Sequence, residues 1–217
     1  MEEIKDILSN SKEKSNPGKS EVLQQFVLTQ SKENTYCKEA NIILLKMYTL
    51  FPECHHNLTV CLILLKALAA LPETDFVLCK SLIPHNKHND SGIARIFKMH
   101  QFLERCQFNE FWLYLKENED IIKGVTGFKE SILTYIKGVI KLTYKSLHRD
   151  MLSKLLYTKG KELDQLIAKE GWKLKENGTV EVRSSADFAA IASKQYSSFK
   201  EFSVQSISNS LYLDMNQ

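Results

Sequence analysis

The feature that most constrains this chain is a change of hydrophobic period near Gly171. Before that glycine, apolar residues recur every three to four positions. After it, Trp172 and Leu174, then Val180 and Val182, alternate with polar residues. A period near 3.6 places apolar side chains on one stripe of a helix, whereas a period of 2 places them on one face of a strand. Glu176-Asn177-Gly178 lies between the two alternating runs. Asn-Gly between such runs is a strong hairpin signal. The sequence therefore predicts a mainly helical protein that turns into a small β-hairpin late in the chain.

The helical part divides at recognisable stops. Glu21–Lys32 carries Val22, Leu23, Phe26 and Val27 at helical spacing, and Asn34–Leu50 carries Ala40, Ile43, Leu44, Met47 and Tyr48. Phe51-Pro52 ends that helix, because a residue before proline disfavours the helical region. Asn57 is the expected cap of the next helix, which stops at Leu71-Pro72. Thr74 is expected to cap a helix that carries Phe76, Val77, Leu78, Leu82 and Ile83 and ends before Pro84, and Ser91 one that runs from Gly92 to Cys106. Asn109–Glu117 follows, with Phe111, Trp112 and Leu115 inward. Leu58–Leu71, interrupted by Thr59 and Lys66, is the most apolar run. It falls short of the roughly 20 apolar residues a bilayer span needs, so it reads as a buried helix and no membrane is expected. Short loops between such helices make neighbours antiparallel, and several in a row suggest a solenoid of helix pairs.

Gly124-Val125-Thr126-Gly127 reads as a joint. Beyond it come an expected long helix, Phe128–Ser146, two short ones, Arg149–Leu156 and Lys161–Glu170, and the hairpin. Three helices and a hairpin give the element order of a winged helix. The expected division is an N-terminal segment 1–20, a helical domain 21–123, a winged-helix domain 128–183, and a helical tail 184–217 with an amphipathic stretch Ala186–Phe202.

Little in the residues supports catalysis or a bound cofactor. Cys54-His55-His56 with Cys61, and His85 with His88, lack the spacings of a metal site. With eight glycines, the chain has neither Gly-x-Gly-x-x-Gly nor a Walker loop, and it has no Gly-x-Ser-x-Gly elbow. The expectation is no enzyme, no cofactor, no metal and no small-molecule substrate. The five cysteines lie in apolar stretches and no secretory signal precedes them. They read as reduced thiols of a cytoplasmic protein, with the nucleus as the alternative.

Charge bears on the winged helix. The net charge is +3, and the excess sits in residues 128–183, where 12 basic residues face 7 acidic ones. Yet Lys159–Glu170, the helix that would read DNA, carries Lys159, Lys161 and Lys169 against Glu162, Asp164 and Glu170. Affinity for phosphates grows with the number neutralised, so a neutral helix is a poor groove reader. The basic residues Lys141, Lys145, Lys173, Lys175 and Arg183 are the candidates for a weak RNA contact. The hairpin residues Trp172, Leu174, Val180 and Val182 are the candidates for a protein interface, with Val180 on the outer strand, since a short exposed edge can accept a strand from another chain. An independent winged-helix protein that binds RNA or DNA is the alternative reading.

Particular blocks carry a resemblance. Lys32-Glu33-Asn34-x-Tyr36-x-x-Glu39-Ala40-Asn41, Leu65-Lys66-Ala67-Leu68-x-x-Leu71-Pro72-x-Thr74-Asp75-Phe76-x-Leu78-Cys79-Lys80, Phe111-Trp112, Gly124-Val125-Thr126-Gly127-Phe128, Thr143-Tyr144 and Gly171-Trp172 resemble the subunit k family of eukaryotic translation initiation factor 3. The resemblance runs from about Leu23 to Val182. It implies a HEAT-like helical domain plus a winged helix, together a PCI-type module. It also implies a non-catalytic place in a multi-subunit assembly on the small ribosomal subunit, next to subunit l. In such modules winged helices pair sheet edge to sheet edge, which gives the hairpin its expected partner-binding role.

Overall fold

The computed structural model describes residues 2–182; the expected contact at Arg183 and the expected helical tail lie outside them. The residues fall into two compact units. One comprises 1–138 with 155–157, the other 139–154 with the residues from Thr158 on. The division falls inside a helix, after Gly138, rather than at the glycine pair 124 and 127.

The first unit is helical. Its elements are α1 (Glu2–Ser9), α2 (Ser20–Glu33), α3 (Lys38–Leu50), α4 (Asn57–Ala69), α5 (Asp75–Ser81), α6 (Ser91–Glu104), α7 (Phe108–Glu117) and the first turns of α8 (Phe128–Thr143). Helix α4 packs against α2, α3, α5 and α6. Val60, Ile63, Leu64, Leu65, Ala67 and Leu68 are all sealed from solvent, so α4 is apolar around its circumference, as a helix enclosed on all sides must be. Among the described residues no helix is long and apolar enough to cross a membrane.

Several helix ends depart from expectation. The residue before α4 is His56 and that before α6 is Asp90, so Asn57 and Ser91 are first helical residues rather than caps. Thr74 does precede α5, without a side-chain capping bond. Asn34 is not helical: it ends α2 in the left-handed region, φ 54°, a conformation asparagine tolerates. Of its apolar residues, helix α5 buries Phe76 and Cys79 and leaves Val77 and Leu78 exposed.

Buried polar clusters tie this unit together, and Asn34, Tyr36, Asn41, Lys66, Asp75 and Gly127 among their members lie in the blocks that carry the resemblance. Gln30 donates through Nε2 to Asn41 Oδ1 (3.0 Å) and accepts through Oε1 from the Cys37 amide (2.6 Å). Lys66 donates to Asn34 Oδ1 at 3.2 Å. Its burial lowers the ammonium below its ordinary pKa. Asp75, almost wholly buried, accepts from the Tyr36 hydroxyl at 3.0 Å and pairs with Lys38 Nζ at 2.5 Å. Burial, then the bond to Asp75, drives the Tyr36 hydroxyl well above its usual value, and the hydrogen bond to Asp75 raises Lys38. Gly127, at φ 73°, sits so close that a Cβ there would meet Asn34 Nδ2 at 2.5 Å. Helix α4 can therefore hold a lysine in an otherwise apolar run: Lys66 has a partner waiting.

The second unit takes the rest of α8, then β1 (Ser146–His148), α9 (Arg149–Leu156, whose last two residues count with the first unit), α10 (Gly160–Lys169), β2 (Lys173–Leu174) and β3 (Thr179–Glu181). Helix α8 stops at Thr143, three residues before the expected end, and a strand begins at Ser146. The expected two-stranded hairpin is thus a three-stranded antiparallel sheet of order β1-β3-β2. Gly171, at φ 71°, follows α10 and lets the chain turn into β2, as the sequence predicts.

Candidate protein interface

Strand β3 is the centre of the sheet, which corrects its expected place on the outside. Val180 lies opposite Leu147 of β1 on one side and Leu174 of β2 on the other. Hydrogen bonds alternate along an antiparallel pair, so which residues bond inward can be read from the ends of the ladder. On the β2 side the Lys175 amide donates to Thr179 O at 2.8 Å, which makes 175/179 and 173/181 the bonded pairs. On the β1 side Val182 N–H donates to Lys145 O (3.0 Å) and Arg149 N–H to Gly178 O (2.9 Å), which makes 147/180 bonded. Val180 therefore bonds to β1, while Thr179 and Glu181 bond to β2. The amide and carbonyl of Leu174 point away from the sheet at one edge, and those of Ser146 and His148 at the other.

The turn between β2 and β3 differs from a two-residue Asn-Gly turn. Gly178 N–H donates to Lys175 O (3.0 Å), Gly178 alone takes a positive φ (75°), and Asn177 Oδ1 accepts from the Thr179 amide (3.0 Å). This is a three-residue loop with glycine in the left-handed position, the next most common hairpin connection.

Alternation puts Trp172, Leu174, Val180, Val182 and Leu147 on one face of the sheet. Helix α10 packs against β2, presenting Leu163 and Ile167 as its buried residues. Trp172, Val180 and Val182 are buried, whereas Leu174 is 49 % exposed. Of the four interface candidates, three are core side chains of the unit, and Leu174 alone offers both an apolar side chain and free backbone groups. The opposite face is polar: Ser146, His148, Lys173, Lys175, Thr179 and Glu181.

The basic candidates do not form one patch. Lys141 pairs with Glu170 at 2.6 Å and lies 5.9 Å from the centre of the Trp172 ring, so its charge is engaged inside the unit. Lys175 stands 3.6 Å from Glu181. Lys173 is exposed on the polar face and Lys145 is exposed just before β1. On α10, Asp164 pairs with Arg149 at 2.7 Å, and the remaining exposed charges are mixed in sign. Such a surface neutralises few phosphates.

Sequence reasoning missed β1, and with it the second edge. Among the described residues no three His, Cys, Asp or Glu side chains converge as a metal site. The Cys61 and Cys79 thiols are pushed up by burial, to about 11 and about 12, which suppresses the nucleophilic thiolate.

Comparison with known proteins places this arrangement among relatives. Residues 55–187 match the CSN8/PSMD8/EIF3K family. The chain is 39% identical over 166 residues to eukaryotic translation initiation factor 3 subunit K of Xenopus laevis, an alignment that covers 76% of each. It is 36% identical over 173 residues to the subunit K of Homo sapiens, covering 79% of each, and 36% identical over 176 residues to that of Danio rerio, again 79% of each.

Proposed function

Because the chain belongs to the CSN8/PSMD8/EIF3K family, among the subunit K proteins of translation initiation factor 3, we propose that it is a non-catalytic scaffold subunit of that factor. It acts in the cytoplasm, holding other subunits and the small ribosomal subunit together during initiation. Its helical unit is the HEAT-like part and its sheet-bearing unit the winged helix of a PCI-type module. The functional division is 1–20, 21–123, 128–183 and 184–217. Subunit l is the neighbour, met edge to edge at the sheet.

The observation that carries this reading is the geometry at Leu174. Strand β2 is an edge of two residues, with one amide and one carbonyl turned outward beside an exposed apolar side chain. A strand from another chain can add to such an edge, with main-chain bonds giving affinity and Leu174 a point of register. The order strand, helix, helix, strand, strand supports the winged-helix assignment. The charge pairing of Lys141 and the mixed signs on α10 favour protein over nucleic acid as the partner class.

The test is affinity purification of the tagged chain from its native cell at moderate salt, with mass spectrometry. Initiation factor 3 subunits and small-subunit ribosomal proteins are the expected companions. Recovery of neither sinks the proposal.

A further inference from the structure

We propose a second docking surface, independent of the sheet edge: a groove on the helical unit that receives an amphipathic segment of a partner protein, one that places aliphatic or aromatic anchors between acidic residues. The groove is a cavity of about 640 Å³ between the end of α3, the outer side of α5 and the loop that follows it. Thr49 lines one end, its hydroxyl within reach of two acceptors, Leu82 O at 2.9 Å in the loop and Leu45 O at 3.0 Å in α3. Val77, Leu82, Ile83 and Pro84 give the groove an apolar floor and walls.

Two observations point to a partner of this chemistry. The first is burial. Val77 is 56% exposed and Leu78 41%, although α5 is only seven residues long and has its own core anchors in Phe76 and Cys79. Successive helical residues point about 100° apart, so Phe76, Val77 and Leu78 cannot all face one core. Of the two, Val77 lines the groove, where its side chain joins Leu82, Ile83 and Pro84 in one contiguous apolar surface. The second observation is charge. Lining the groove are Lys80, His85 and His88, and no carboxylate. The Lys80 ammonium lies 5.0 Å from the Phe97 ring centre and His88 bonds to Ile83 O at 2.9 Å, so both are held in place. Lys46, exposed one turn before Thr49, extends the cationic rim. An apolar floor with a cationic rim complements apolar anchors flanked by Asp or Glu. Nucleic acid fits less well, since a single lining lysine falls short of the density of charge that phosphates require.

The experiment selects displayed random 12-residue peptides on the intact chain, then measures the enriched peptides in solution against Val77→Asp and Lys80→Glu. Melting temperature and circular dichroism confirm that both variants fold. The proposal expects peptides with two or more apolar anchors and a net negative charge. It expects binding to weaken by about tenfold or more in each variant, as for the anchor residues of an interface. Enriched peptides without acidic residues, or peptides that bind the variants as well as the parent, overturn it. So does an RNA oligonucleotide whose binding is lost in Val77→Asp while no peptide is enriched. A photo-crosslinker at position 77 supplies the remaining control: efficient crosslinking to residues 183–217 of the same chain would give the groove to the protein's own tail and overturn the proposal of an external partner.

Discussion

The two units solve the problem of buried polarity in opposite ways. The helical unit encloses its polar groups: Gln30, Asn41, Lys66 and Asp75 lie inside, each with a named partner. The sheet-bearing unit turns its polar groups outward, keeping Leu147, Leu152, Leu163, Ile167, Trp172 and Val180 inside and unsatisfied backbone at both sheet edges. The paired groups of the helical unit specify one packing, although Asn41 Nδ2 and the Tyr48 hydroxyl stay buried without a hydrogen-bond partner among the described residues. An open edge is marginal alone and is completed by another chain. The contrast gives the first unit paired polar groups in its interior and leaves the second with open main-chain groups at its sheet edges.

The sharpest way to break the contrast is Val180→Pro. Val180 bonds to Leu147 from the central strand, so proline there removes a ladder bond and a buried side chain together, at a cost of about 3 kcal/mol or more. The sheet-bearing unit should unfold while helicity from the other unit persists, which a two-probe urea titration would resolve. Tryptophan fluorescence in a Trp112→Phe background, where Trp172 alone emits, reports the first, and far-ultraviolet circular dichroism, to which the helical unit contributes most, reports the second. Coincident loss of both signals would mean that the units do not differ in kind.

Asp75→Ala tests the other side. It strands the Tyr36 hydroxyl and removes the partner of Lys38, and should destabilise the helical unit by about 2 kcal/mol. Chemical denaturation measures it, and a change below about 0.5 kcal/mol would show that this cluster does not hold the unit.

A smaller effect follows from pH. His100 stacks on Phe76 with ring centres 4.1 Å apart, and burial holds its imidazole below the ordinary histidine range; Glu104 opposes this and Lys80 adds to it. The unfolded chain then takes up the proton first. Stability is complete above the ordinary value of about 6.5 and declines as pH falls through the lower folded value. Thermal melts from pH 7.5 to 5 should show this decline, and His100→Gln should flatten it.

Most helix positions were legible because α2, α3, α4, α6 and α7 repeat their apolar residues over two or more turns and meet proline, glycine or polar stops. Strand β1 was not. Leu147 lies four residues after Thr143 and seven after Ile140, which continues the stripe of α8, and no proline or glycine marks the break. A three-residue strand has no period of its own, and only pairing with β3 creates it. The same missing strand hid the fact that Val180 is central. Alternation was legible and puts the four hairpin residues on one face, but which of them remain exposed depends on tertiary packing, which buries Trp172 and Val180 and leaves Leu174 half exposed.

The central claim is that the edge of β2 is where this chain meets a neighbouring subunit, and Leu174→Pro tests it most directly. The Leu174 amide points outward, so proline removes a donor to the partner and none to β3; the fold should lose no more than about 1 kcal/mol. Purification of tagged wild type and variant from native cells, with quantitative mass spectrometry, should show the wild type carrying initiation factor 3 subunits. The folded variant should lose its immediate neighbour by about tenfold, as for an interface hot spot. Equal recovery of that neighbour by both proteins would contradict the claim.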